Sequence, residues 1–195
     1  MQMVEDDEAS VEQRLRAGQI ACQDCGGELR PWGFARWRKL RKKAQAVAVH
    51  PRRSRCRRCG LTHVLLPTVA LLRRVDVAEV IVEALVARYL EGRSRSETIR
   101  LAGVPPGTGR AWLRRFRSRA EVIRVHFTAL AWRWDSDLAP LESQGSPARD
   151  ALCAIGAAAQ AAARSFGPTP LSAFVAGATG GRLISNTNLA LPEAP

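Results

Sequence analysis

The chain has 195 residues, 30 Lys and Arg against 18 Asp and Glu for a formal net charge of +12, and five cysteines. That length holds one or two small domains and some tail, not a large single core. No apolar run reaches the ~18–20 residues of a membrane span, and the start MQMVEDDEAS is acidic where a secretion signal is basic and then apolar, so a membrane partner is excluded and a cytoplasmic protein is expected.

Residues 1–20 read as a loose leader, an acidic cluster and a short helix over 9–17 with no strong apolar face to dock. The segment 21–67 opens with Cys22-Gln-Asp-Cys25-Gly26-Gly27 and, after thirty intervening residues, continues with Cys56-Arg-Arg-Cys59-Gly60. Two residues between paired cysteines let both thiolates reach one tetrahedral Zn²⁺ at about 2.3 Å. A glycine after each pair fits a tight turn in which backbone N–H groups point at sulfur. A reducing compartment favours metal ligands over disulfides, with redox-active or iron–sulfur cysteines as the competing assignments. Short β-prone runs at 45–49 and 61–66, separated by Gly, Pro and Arg turns, predict an antiparallel zinc ribbon in which the chain between the pairs makes a hairpin and returns.

A closed site of Cys22, Cys25, Cys56 and Cys59 has no open coordination position, so the zinc is predicted to be structural and the protein not to be an enzyme. Four thiolates around Zn²⁺ leave about two net negative charges, which Arg55, Arg57 and Arg58 stand ready to offset. His50 and His63 lie near the second pair, but four cysteines complete the site without them. His63, alternating with Leu61 and Leu65, reads as a partly exposed strand residue.

The positive charge is concentrated in the same region. From Leu29 to Val75 there is no acidic residue and there are fourteen Arg or Lys. A codon bias toward Arg and Ala explains a high arginine content but not an acid-free run of this length. Such a field serves a polyanion, with Lys42, Lys43, Arg52 and Arg53 as candidate phosphate contacts.

After Pro67 the pattern becomes helical. Val77, Val80, Ile81, Ala84, Leu85 and Leu90 recur at helical spacing and predict a buried helix over 77–90 that Gly92 stops. Ser94-Arg95-Ser96-Glu97 has the S-x-x-E form of a capping box and starts a short second helix. Gly103-Val104-Pro105 is turn chemistry, and Pro106 suits the first position of a third helix that runs on to about Trp132. Residues 135–148 read as a loop, followed by an Ala-rich helix over 150–164 and a flexible Gly/Thr/Asn/Pro-rich tail. Cys153 among those alanines reads as a small buried hydrophobe. The expected domains are therefore 1–20, a ribbon over 21–67, a helical domain over 68–134, and linker, helix and tail over 135–195, an α+β chain.

Residues 93–116 resemble the helix-turn-helix of many bacterial regulators and transposases. The resemblance implies that the helix from Pro106 lies in the major groove of double-stranded DNA, with Thr108 and Arg110 toward base edges and Arg114, Arg115 and Arg117 on phosphates. The chain departs from the pattern at two positions that normally touch: a large Ile99 stands where a small residue is expected, and Gly109 where a branched one is. A large-for-small exchange on one helix against small-for-large on the other conserves volume. An ordinary three-helix bundle with a solvated arginine face is the competing reading.

The cysteine motifs, the segment RRSRCRRCGLTHVLLP at 52–67 and the helix-turn-helix together resemble a family of actinobacterial zinc-ribbon/helix-turn-helix proteins, itself similar to the N-terminal DNA-binding region of insertion-sequence transposases. The likeness covers about residues 20–130, with a weaker echo at 180–187. It implies a nucleoid-associated DNA-binding protein, a regulator or a transposase-related accessory without a catalytic domain and without a small-molecule substrate. One recognition helix reads few base pairs, so a homodimer is a further expected partner, with the 150–164 helix as a candidate contact. An RNA- or protein-binding adaptor is the rival reading, and a nuclease subunit completed by a partner a third.

Overall fold

The structure is a computed structural model that describes residues 1–185 and 191–192. The chain is α+β, with the strands in its first third and the long helices after them. In order it forms β1 (Gln2–Val4), α1 (Glu8–Ala17), β2 (Leu29–Phe34), β3 (Arg38–Lys42), β4 (Gln45–Val49), β5 (Arg52–Cys56), β6 (Thr62–Pro67), α2 (Ala78–Tyr89), α3 (Arg95–Ala102), α4 (Pro106–Trp134), α5 (Pro147–Phe166) and α6 (Leu171–Ala178).

The first sheet runs β1-β6-β5-β2, and β3-β4 form a separate hairpin inserted between β2 and β5. The β2, β5 and β6 pairings are antiparallel, as the sequence predicts, but β1 joins β6 in parallel and makes the sheet mixed.

Residues 1–20 are not a loose leader. Asp7 caps α1 by accepting the N–H groups of Ala9 and Ser10, and Gly18, in the left-handed region at φ 72°, closes it. Val11 and Leu15, one turn apart, are buried with Ile20, Leu29, Leu65 and two of the cysteines in a small core. Two apolar residues are too few to mark an amphipathic helix in sequence, yet they suffice once the sheet supplies the other side.

A second, larger core joins the helices. Trp112, Phe116, Ile123, Phe127 and Leu130 of α4 pack with Ala151, Ala154, Ile155 and Ala158 of α5 and with Ile81 and Leu85 of α2. The small face of α5 is therefore spent inside the chain, which removes it as the expected dimer contact. Part of the expected tail is also folded: α6 follows, and Leu183 and Ile184 are buried in the same core. The weaker echo at 180–187 runs past the described residues after Ser185, and so does the remaining tail apart from 191–192.

The hairpin belongs to both halves. Its roots connect to β2 and β5, but Leu40 and Val49 are buried in the helical core. Arg41 exchanges backbone hydrogen bonds with Val75 and Val77, and its side chain meets the buried carboxylate of Asp76 at 2.6 Å.

Candidate metal centre and basic face

Two turns bring the four cysteines together. After each pair the chain reverses at a glycine with positive φ, Gly26 at 71° and Gly60 at 75°. The Gly26 N–H donates to the Cys22 carbonyl and the Gly60 N–H to the Cys56 carbonyl, so the two turns have the same construction. Gly27 is required for a different reason: a Cβ there would lie 2.6 Å from Arg58 Cβ and 3.1 Å from Cys56 Sγ, inside the space of the cluster.

The Sγ atoms of Cys22, Cys25, Cys56 and Cys59 all lie within 4.8 Å of one another. Cys22 to Cys59 is 3.8 Å and Cys25 to Cys56 is 3.5 Å. A tetrahedron with metal–sulfur bonds of about 2.3 Å has edges of about 3.8 Å, so the cluster is the size a single ion needs. Cys22 and Cys56 are buried and Cys59 is exposed, so the cluster reaches solvent on the Cys59 side. The backbone N–H of Cys59 donates to Cys56 Sγ at 3.5 Å and is the main reason that this thiol is lowered to about 7, while Cys59, against a backbone hydrogen bond at Leu61, is pushed up to about 12 by burial and the neighbouring thiols, so the first thiolate forms on Cys56.

Three neighbours differ from the sequence reading. His63 is buried, not partly exposed, with Nε2 3.3 Å from Cys22 Sγ and 3.5 Å from Asp24 Oδ2. It shares the inward face of β6 with Leu65, and the strand parity that would have shown this depends on which face the metal occupies. A ring N–H there would donate to a ligating thiolate and drain negative charge from it. Arg58 donates to the Cys25 carbonyl and Arg55 to the Gly60 carbonyl, so these two clamp the backbone of the turns, while Arg57 is exposed. Cys153 is half-buried on α5 and belongs to no group of possible metal ligands among the described residues.

The second group of predicted residues divides. Lys42 pairs with Glu79 at 2.6 Å and Lys43 with Glu83 at 3.2 Å, both carboxylates on α2. Arg52 is held by Glu12 of α1 at 2.7 Å with its side chain only 15% exposed. These three have carboxylate partners that compete with the phosphate contacts expected of them. The sequence hid this because each partner lies tens of residues away, outside the acid-free run. Arg53 is half-buried and has no carboxylate partner among the described residues.

The α3–α4 region carries the other set. Ser94 Oγ accepts the Glu97 N–H at 3.2 Å and caps α3, although the Glu97 carboxylate turns to Arg93 instead of completing the box. Gly103, at φ 64°, ends α3 and makes the turn. Ile99 and Gly109 do touch: a Cβ on Gly109 would lie 2.6 Å from Ile99 Cγ1, so the missing side chain makes the room that the large one fills. Trp112, Leu113 and Phe116 face inward, and Tyr89 of α2 donates its hydroxyl to the Leu113 carbonyl at 3.0 Å.

What remains outward on α4 is basic. Arg110, Arg114 and Arg117 are exposed at positions four and three apart, a single helical stripe, with Thr108 and Arg115 half-buried on the opposite side of the helix. A cleft between α3 and the start of α4 is lined by Arg95, Arg100 and Arg110, and a second, on the other side of α4, by Arg73, Arg74 and Arg115. Asp76, the one carboxylate in the second cleft, is already bound to Arg41. Among the described residues Arg95, Arg100, Arg110, Arg114, Arg115 and Arg117 have no carboxylate partner.

No described helix is long and apolar enough to cross a membrane. Comparison with protein-family models, with curated proteins and with solved structures finds no match to this chain.

Proposed function

We propose that this chain is a non-enzymatic, zinc-stabilised protein that binds double-stranded DNA through a helix-turn-helix made by α3 and α4. The observation that carries the reading is the convergence of unpaired arginines on the first turns of α4, on a helix that follows α3 across a tight glycine turn. Unpaired guanidinium groups keep their full charge for phosphates, and a helix backed by a packed core and bare on its arginine side is shaped to enter a groove. Thr108 and Arg110 then reach base edges, while Arg114, Arg115 and Arg117 hold phosphates.

The metal is zinc, held by Cys22, Cys25, Cys56 and Cys59, because four thiolates in a tetrahedron are the donor set that zinc prefers. Its role is to close the two turns and to fix the sheet from which the hairpin springs. With all four positions filled it offers no site to a substrate. Such a protein regulates transcription or serves the recognition step of a mobile element, and works at the nucleoid.

The test is binding of zinc-loaded protein to duplex DNA over a range of salt. The log of affinity is expected to fall linearly with log salt, at about 0.9 per phosphate contact, and Arg114→Ala to lower that slope by about one. Arg110→Ala is expected to cost about 1–3 kcal/mol on a preferred sequence and much less on others. No salt-dependent duplex binding at all would reject the proposal.

A further inference from the structure

Near the root of the β3–β4 hairpin the structure carries an arrangement that neither the metal site nor α4 uses. Arg52, Phe34, His50 and Trp37 stack in a column. The Arg52 Cζ lies 4.4 Å over the Phe34 ring, Phe34 and His50 are 4.5 Å apart at 16°, and His50 and Trp37 are 4.2 Å apart at 9°. The other aromatic contacts among the described residues lie between 32° and 86°, as packed cores prefer. This column is flat and open to water: Phe34 is 53% exposed and Trp37 66%.

The two ends of the column differ. At the Arg52 end the guanidinium is held by Glu12, and the groove there, of about 550 Å³, is lined also by Glu5 and Glu8. That end is closed by a charge pair and repels anions. At the other end the outer face of Trp37 has no ring on it. Trp37 is flanked in the chain by Arg36 and Arg38, with Lys39 next, and none of these has a carboxylate partner among the described residues.

We infer that the Trp37 end of this column is a binding site for unpaired bases of a nucleic acid strand, the next base stacking on Trp37 while Arg36 and Arg38 hold its phosphates. A stacking platform beside unpaired cations is the physical requirement for single-strand binding. A base inside a duplex has both faces covered by its neighbours, so only an unpaired or terminal base can extend the column. A sugar would stack as well but would gain nothing from Arg36 and Arg38. The hairpin links this site to the helical part: its tip at Lys43 touches Gly103 of the α3–α4 turn, and β3 spans about 14 Å at about 3.4 Å per residue. The inference extends the proposed duplex binding without depending on it.

The experiment compares binding of the full zinc-loaded chain to four probes of equal length, about 12 nucleotides: oligothymidylate, oligouridylate, an abasic deoxyribose-phosphate strand and a blunt duplex. Trp37→Ala is expected to weaken one or both base-bearing strands by about 5- to 100-fold, and the responding strand identifies DNA, RNA or both as the source. The same variant is expected to leave the abasic strand within about twofold and to weaken the duplex, whose end pairs alone can stack, much less than the base-bearing strands, and Trp37→Phe to keep most of the affinity, since any ring can stack. Unchanged binding of both base-bearing strands, or an equal loss on the abasic strand, overturns the inference. Arg110→Ala, which acts on the duplex alone, separates this outcome from failure of the duplex-binding proposal.

Discussion

At the scale of single residues, Ile99 and Gly109 form the most specific contact between α3 and α4. Gly109→Ala gains about 1 kcal/mol of helix propensity but drives a methyl into Ile99, at an overpacking cost of about 1–3 kcal/mol, so the variant is expected to be less stable in urea unfolding. Combined with Ile99→Ala the penalty should largely vanish, giving a coupling of about 1 kcal/mol or more in the double-mutant cycle. Strictly additive losses would show that the two side chains do not share the space. This pair was legible in the sequence because the turn glycine fixes the spacing of the residues around it. His63 was not, since its environment is decided by a metal held on two other segments.

Glu12 carries a pH dependence. A hydrogen bond from Arg52 holds its carboxyl below the ordinary value of 4.5, with partial burial opposing and Arg16 adding to the effect. The folded state thus favours the ionised form, so the stabilisation is complete above about pH 4.5 and is lost as pH falls through the lowered folded value. Because the pair is partly exposed, its worth is at most about 1 kcal/mol. Melts of the native chain and of Glu12→Gln should differ by a constant amount near neutral pH and converge in acid, and a gap that stays open in acid would contradict this assignment.

At the scale of elements, the β3–β4 hairpin shows what sequence pattern does and does not reveal. The strand over 45–49 is found where the short β-prone run predicts it, because strand propensity and the turns that bound it are local properties. Its docking on α2 is non-local and depends on pairs such as Lys42 with Glu79. Those pairs are exposed and contribute little by themselves. Asp76 is different, since it is buried against Arg41 and lies in the strand-like segment that the hairpin joins. Asp76→Ala leaves a guanidinium that is partly exposed, so we expect a loss of about 1–3 kcal/mol, and a smaller one for Lys42→Ala. Hydrogen exchange of the Arg41 and Val77 amides should quicken in the first variant and hardly change in the second. The α1 helix teaches the same lesson from the other side, since Val11 and Leu15 make a core-facing stripe only after β6 and the cysteine turns close over them.

At the scale of the whole molecule, the two cores predict two responses to metal loss. Cys22 and Cys56 belong to the small core with Val11, Leu15 and Leu29, whereas α2 to α6 share the large one. Chelation is expected to unfold the sheet and α1 while most of the helical circular-dichroism signal remains, and the chelated protein should lose protection in residues 1–35 first. Cooperative loss of all helix on chelation would show instead that the hairpin couples the cores completely. Ligand protonation competes with the metal, so the chelator concentration needed should fall as pH falls.

The central claim, that α4 reads duplex DNA, is tested most directly by selecting bound duplexes from a random pool with zinc-loaded protein and repeating the selection with Arg110→Ala. Reading by α4 gives a recurrent short motif that weakens or changes at one position in the variant. Recovery of unenriched sequence by both proteins, with binding that merely fades as salt rises, would contradict it.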